Sequence, residues 1–266
     1  MLKLCLQWDT IPTSHDLNAK LDFLETNGYA AVEIPSGDWP IKNAETLRAA
    51  LAGRALSVAT ACGPSDFSHA EPERREAETQ RLLPVIEAIG HIGSTGLIIC
   101  PARSTVAMGF AELRKDFVEN TGKRLAEHAA KHGTKIVLEP LRRNETPFLR
   151  QVADATKMAA EIGDGAAVMG DFWHMAAEET SFARAFEYAG DLLAHVHIAG
   201  LRERIIPGVA GRSDDDYSGG FRALQRMNYS GVVSFEGAWP APEASLSADD
   251  KARLLARMAE FLRAQW

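Results

Sequence analysis

The feature that most constrains this chain is an eightfold alternation: a short apolar run of β-type residues, then a segment with apolar residues at helical spacing, repeated to the end of the chain. The runs are residues 2–7, 30–34, 56–61, 97–100, 135–138, 166–170, 195–198 and 232–235. Helical patterns follow over about 14–27, 43–52, 71–92, 112–132, 147–162, 182–188, 221–227 and 248–264. Gly28, Gly53 and Gly133 stand where three helices should stop, and Pro84 inside the long third helix predicts a kink. No linker or low-complexity tract interrupts the series. The order is that of a (β/α)8 TIM barrel, with residues 1–266 as a single domain. A doubly wound open sheet is the alternative, but no Gly-x-Gly-x-x-Gly follows the first run.

Composition narrows the partners. A formal charge of −7 and a pI near 5.7 oppose binding to nucleic acid or to an anionic membrane, and no apolar stretch is long enough to span a bilayer. No signal-peptide pattern opens the chain, so a cytoplasmic protein is expected. Three widely spaced cysteines, Cys5, Cys62 and Cys100, suit neither a disulfide framework nor a thiolate zinc site and read as small buried hydrophobes.

Four runs end in potential metal ligands: Ile136-Val-Leu-Glu139, Val168-Met-Gly-Asp171, His195-Val-His197 and Val232-Val-Ser-Phe-Glu236. In a closed parallel barrel all strands point one way, so their ends converge on one rim, and alternation along each strand selects the inward residues. Glu139 is in phase with Val137, Asp171 with Met169, His197 with His195, and Glu236 with Ser234. Facing the axis, the outer member of each pair would sit at the mouth, where barrel enzymes keep their chemistry. Any one of them alone reads more simply: a strand-end carboxylate on the surface, a helix cap, or a satisfied core histidine, which is also the reading for His195. Together, three carboxylates and one imidazole repel in an empty pocket and suit a divalent cation, Mn²⁺ first, with Mg²⁺, Co²⁺ or Zn²⁺ as alternatives. About two coordination positions would remain for a bidentate hydroxy-carbonyl ligand.

At these residues the sequence resembles the xylose isomerase-like superfamily, and within it sugar isomerases and epimerases of the tagatose/psicose 3-epimerase and hydroxypyruvate isomerase type. Glu139-Pro-Leu-Arg-Arg143-Asn-Glu145 is similar to that group's Glu-Pro-Leu-Asn-Arg-x-Glu. Asp171-Phe-Trp-His174-Met resembles its Asp-x-x-His-Met, and His195-Val-His197 with Arg204-Ile-Ile-Pro207-Gly208 resembles its His-x-His and Arg-x-x-Pro-Gly segment. The resemblance implies metal ligation by Glu139, Asp171, His197 and Glu236, and substrate contacts from Glu145, His174 and Arg204, with Arg202 a second choice for the last. It implies proton abstraction α to a carbonyl through a metal-stabilised enediolate, with Glu139 and Glu236 as base and acid. Arg142 and Asn144 depart from the group's pattern and leave the particular keto-sugar open.

Two other functions share this framework. A lyase of the inosose dehydratase type uses the same metal and the same first proton abstraction, and a non-catalytic barrel would bind sugar or join a larger complex. A metal-dependent endonuclease is disfavoured by the acidic charge and by the want of an Asp-x-His pair after His197. The partner expected is a small keto-sugar or related hydroxy-carbonyl compound. Trp8, Asp9, Glu33, Cys62, Arg103, Trp173 and Trp239 fall at strand ends or mouth loops and could shape its pocket. Mouth tryptophans also serve as lids or oligomer contacts, so a homo-oligomer stays open.

Overall fold

A computed structural model describes residues 1–13, 16–103, 106–209, 214–242 and 245–266. Eight parallel strands, β1 (Leu4–Gln7), β2 (Ala31–Pro35), β3 (Ser57–Cys62), β4 (Gly96–Ile99), β5 (Ile136–Leu138), β6 (Ala166–Asp171), β7 (Leu193–Ile198) and β8 (Val233–Phe235), close into a barrel in sequence order. β1 pairs with β8 through Leu4 opposite Val233, so the described strands leave no free edge.

The strands alternate as their sequences dictate. Leu4, Leu6, Val32, Ile34, Leu97, Ile99, Ile136, Leu138, Val168, Val196, Ile198, Val233 and Phe235 point outward and join the main apolar core beneath the helices. The inward residues form separate small layers, Ile98, Val137, Ala167 and Met169 in one and Cys5, Ala31 and Ala59 in another. Val137 and Met169 thus lie on the axis side, the phase inferred for Glu139 and Asp171.

Ten helices are described: α1 (Leu17–Thr26), α2 (Asp38–Leu51), α3 (Pro72–Ile92), α4 (Phe110–Asp116), α5 (Gly122–Lys131), α6 (Val152–Ile162), α7 (Phe172–Glu178), α8 (Phe182–Ala189), α9 (Ser218–Arg226) and α10 (Ala248–Gln265). Among the described residues, none is long and apolar enough to cross a membrane. Helix α3 runs through Pro84 without ending, and Ser14, where the first helix was expected to start, lies outside the described residues. The helix expected over 112–132 is three pieces, because a π-helical turn at Phe117–Thr121 separates α4 from α5. Helix α7 is an addition to the sequence reading. It begins directly at the end of β6, and Asp171 caps it by accepting from the Trp173 N–H at 2.8 Å.

Candidate metal centre and active site

Sheet register puts two of the expected ligands side by side, since Asp171 of β6 stands opposite His197 of β7 and His197 opposite Ser234 of β8. Glu139 follows β5, fixed by its backbone N–H to the Ile99 carbonyl, and Glu236 follows β8, fixed to the Ile198 carbonyl. One donor atom from each of Glu139, Asp171, His197 and Glu236 lies within 4.8 Å of all the others. His197 Nδ1 is 2.7 Å from Glu236 Oε2 and 3.7 Å from Glu139 Oε1. Ligand atoms on one octahedral cation with bonds of ~2.1 Å sit ~3 Å apart when adjacent, so this set needs little movement to share an ion.

Protein contacts leave part of the arrangement unsatisfied. Glu139 Oε1, His174 Nε2 and His197 Nδ1 are buried without a hydrogen bond, and Nδ1 lacks hydrogen-bond alignment toward Glu236 despite its proximity. Glu139 is 4% exposed, Asp171 1% and His197 0%, a degree of burial that ionised groups tolerate only when compensated. Orphaned donor atoms, hard oxygen ligands and one imidazole are the chemistry of a divalent-cation site, so these residues fit the metal that the sequence pattern implies.

His197 is aimed at this focus by a residue whose role the sequence reading missed. Glu33, 1% exposed in β2, contacts His197 Nε2 at 2.8 Å and His195 Nε2 at 2.9 Å through Oε2. It also accepts from the Thr60 hydroxyl at 2.6 Å and from Gln7 Nε2 at 2.8 Å. With Nε2 engaged, Nδ1 is the nitrogen left free for a cation, and Glu33 would be the outer carboxylate of a carboxylate-histidine-metal arrangement. The signal was available: Glu33 is a carboxylate near a strand end, in phase with inward Ala31, as the four named ligands are with their own inward partners. His195 is satisfied by Glu33 and by Thr60, 3.3 Å away, and needs no metal role.

Protonation follows from the same neighbours. Burial opposes charge on His197, but Glu33 and Glu236 on either side raise its pKa well above the ordinary histidine value. Ligation of a cation through Nδ1 would therefore be coupled to release of a proton. Burial also opposes charge on Glu236, yet His197 and Arg204 hold its pKa down to about 2. Asp171 is pushed upward by burial and by Glu236, with Arg204 opposing.

The residues expected to contact substrate rim this cluster. His174, on the first turn of α7, accepts from the Arg142 N–H through Nδ1 at 3.1 Å, which leaves the proton of the neutral ring on Nε2. Burial lowers its pKa to about 4, and its Nε2–H faces Asp171 Oδ2 at 3.6 Å and Glu139 Oε1 at 3.9 Å. Arg204 donates to Asp171 Oδ2 at 2.8 Å and to Glu236 Oε2, whereas Arg202 lies outside, paired with Asp214 at 2.9 Å. Arg204 is fixed because its carbonyl accepts from the Ala238 N–H at 2.7 Å while the Ile206 N–H donates to the Ala238 carbonyl at 2.9 Å. The Trp173 ring carries two guanidiniums, Arg142 at 4.2 Å and Arg204 at 4.7 Å from its centroid. Glu145 stands farther out in an ion pair with Arg103 at 3.2 Å.

Cys5 and Cys100 are buried as expected and Cys62 is half-buried, and two of the three do more than fill space. The Cys100 thiol donates to Glu139 Oε2 at 3.4 Å, and the Cys62 thiol lies 4.0 Å from Glu236 Oε1, so each glutamate has one sulfur neighbour. Beside Cys62, a cavity of about 100 Å³ lined by Gln7, Trp8, Asp9, Glu33, Ile34 and Pro35 opens on the β1 and β2 side.

Residues 21–265 match the family model described as xylose isomerase-like TIM barrel. The 3-dehydro-D-guloside 4-epimerase of Escherichia coli (strain K12) is 30% identical over 229 residues, covering 82% of this chain and 86% of that protein. The ketose 3-epimerase of Arthrobacter globiformis is 27% identical over 235 residues, covering 86% and 78% respectively. The crystal structure of E. coli 3-keto-D-glucoside 4-epimerase, apo form, aligns with a TM-score of 0.85 at 29% identity, over 98% of this chain and 100% of that one.

Proposed function

Because the chain belongs to the xylose isomerase-like TIM barrel family and is an enzyme of the isomerase class, we propose that it epimerises a keto-sugar by proton exchange at the carbon beside the carbonyl. The observation that carries this reading is the convergence of Glu139, Asp171, His197 and Glu236 on one buried focus with orphaned ligand atoms. A divalent cation held by these four would supply positive charge where negative charge develops on the substrate. The two glutamates then do the proton work. Glu236, kept ionised by His197 and Arg204, takes the proton α to the carbonyl, and the electron pair delocalises into the enediolate. Glu139 returns a proton to the other face, inverting the carbon, and in the reverse direction the two exchange roles. His174 Nε2–H and the Arg204 guanidinium are donors for substrate oxygens, and Glu145 is an acceptor for a hydroxyl at the mouth.

The substrate class we favour is a glycoside oxidised to a ketone at ring carbon 3, epimerised at carbon 4. The E. coli relative and the E. coli structure bearing names of that type match at 29–30% identity over 82% and 98% of this chain. The epimerase names of the matched relatives favour inversion over the lyase outcome.

The test is solvent deuterium exchange, read by NMR, with Mn²⁺ and a panel of 3-keto-glycosides and free ketoses. The expected result is deuterium at the carbon next to the carbonyl together with the inverted product. Glu236→Gln should lower the exchange rate by about 10²–10⁴-fold while leaving the substrate bound. Absence of exchange from every compound of both classes in Mn²⁺-loaded protein would overturn the reading.

A further inference from the structure

A second group of metal-ligating side chains lies on the helical outer layer. Helix α5 carries His128, and His132 caps its end one turn later, with ring centroids 4.6 Å apart. From α3, Glu87 reaches across so that its Oε1 is 3.1 Å from His128 Nε2. One donor atom from each of the three lies within 4.8 Å of the other two. The convergence is built into the packing of the two helices. They approach closely at Gly90, one turn beyond Glu87, where a Cβ would meet the His132 carbonyl oxygen at 2.4 Å. A larger residue at Gly90 would push His132 away from Glu87.

Hydrogen bonding does not account for the cluster. His128 Nε2 is shielded from solvent and makes no hydrogen bond, although Glu87 Oε1 is within reach of it. The same combination occurs at His197 Nδ1, which lies 2.7 Å from Glu236 Oε2 and likewise makes no hydrogen bond. Two imidazoles and one carboxylate with no thiolate suit a borderline cation. Three protein ligands at an exposed position leave a tetrahedral zinc ion its fourth site for water.

We propose that Glu87, His128 and His132 form a second divalent-cation site, selective for Zn²⁺ over Mg²⁺ or Mn²⁺, which ties α3 to α5 on the outer face of the barrel. The site shares no residue with the cluster at the mouth, and it stands whether or not the epimerase reading does. The two sites differ in kind: the mouth offers three carboxylates and one histidine to a hard or borderline ion, whereas the outer site is mainly imidazole and discriminates against hard ions.

Equilibrium dialysis against Zn²⁺ as the only added metal tests this. Wild type should take up one equivalent that His132→Ala, His128→Ala and Glu87→Gln each weaken by at least tenfold, with unchanged circular dichroism. Glu139→Ala should retain that equivalent and lose the one at the mouth. Mn²⁺ should not compete for the outer equivalent. Zn²⁺ uptake of the same stoichiometry and affinity in wild type, His128→Ala and His132→Ala would overturn the proposal. Loss of nothing on Glu139→Ala would instead count against the mouth site alone.

Discussion

At the scale of single residues, Glu33 and His174 carry the sharpest consequences. Glu33 is not one of the four clustered residues, yet it sets which nitrogen of His197 faces them. Replacing it with Gln keeps the volume and a hydrogen bond but removes the charge that fixes the ring. Such loss of an outer partner weakens metal binding by roughly 10–100-fold. A Mn²⁺ titration of Glu33→Gln should show that weakening, with activity recovered by excess metal; an unchanged dissociation constant would remove Glu33 from the role. His174 makes a different prediction. Its buried ring has a pKa of about 4 against 6.5 for an unperturbed histidine, so the unfolded chain binds the proton more readily. Its contribution to stability is complete above pH 6.5 and declines as pH falls toward 4. The total is on the order of 3 kcal/mol. His197 has the opposite sign, and Glu236 acts at lower pH, between its ordinary range and about 2. The difference between wild type and His174→Gln isolates the one group: the wild-type urea-unfolding free energy should fall relative to the variant's as pH drops from 6.5 to 4, and parallel curves would count against it.

At the scale of elements, the strand-to-helix joint at β6 and α7 seats Asp171 and His174 together. Gly170 allows it, because a Cβ there would meet Met175 Sδ and Phe186 Cε1, both at 2.7 Å. Met175 of the Asp-x-x-His-Met stretch is therefore a packing residue that presses α7 onto the strand. Gly170→Ala should cost about 1–3 kcal/mol from overpacking, measured by urea unfolding at unchanged m value. The displaced α7 should also weaken Mn²⁺ binding through Asp171. Local periodicity could not announce α7, since its helix of seven residues begins without any loop after β6. Similarly, the π turn before α5 left the apolar spacing of 112–132 looking like one helix.

For the whole molecule, the ends of four separate strands bring potential ligands to one focus, so a cation bound there would link its binding to barrel closure. A ligand at a hundred times its dissociation constant stabilises the folded state by about 2.7 kcal/mol. For a chain of this size that is a rise in Tm on the order of 5–10 °C. Calorimetry with Mn²⁺ and then with a chelator should show the rise and its reversal, and Glu139→Ala should abolish it. A Tm indifferent to Mn²⁺ in wild type would contradict a cation site at the mouth.

The sequence by itself determined the barrel, because eight alternating apolar runs and helical stripes admit few closed arrangements, and strand phase is a local property. For the same reason it named Glu139, Asp171, His197 and Glu236 as strand-end residues in phase with inward neighbours. What it could not contain were relations between elements. That Arg204, the first choice from the sequence, lies at the cluster while Arg202 lies outside it rests on a backbone bridge between residues 205 and 238. The placement of Cys62 and Cys100 against the two glutamates depends on how neighbouring strands are staggered. Glu33 belongs to His197 only after the barrel closes across its axis, and Glu87 meets His128 and His132 only where two helices pack at a glycine. Local spacing specifies which face a side chain takes; the partner on that face is fixed by tertiary contact between segments that no local pattern relates.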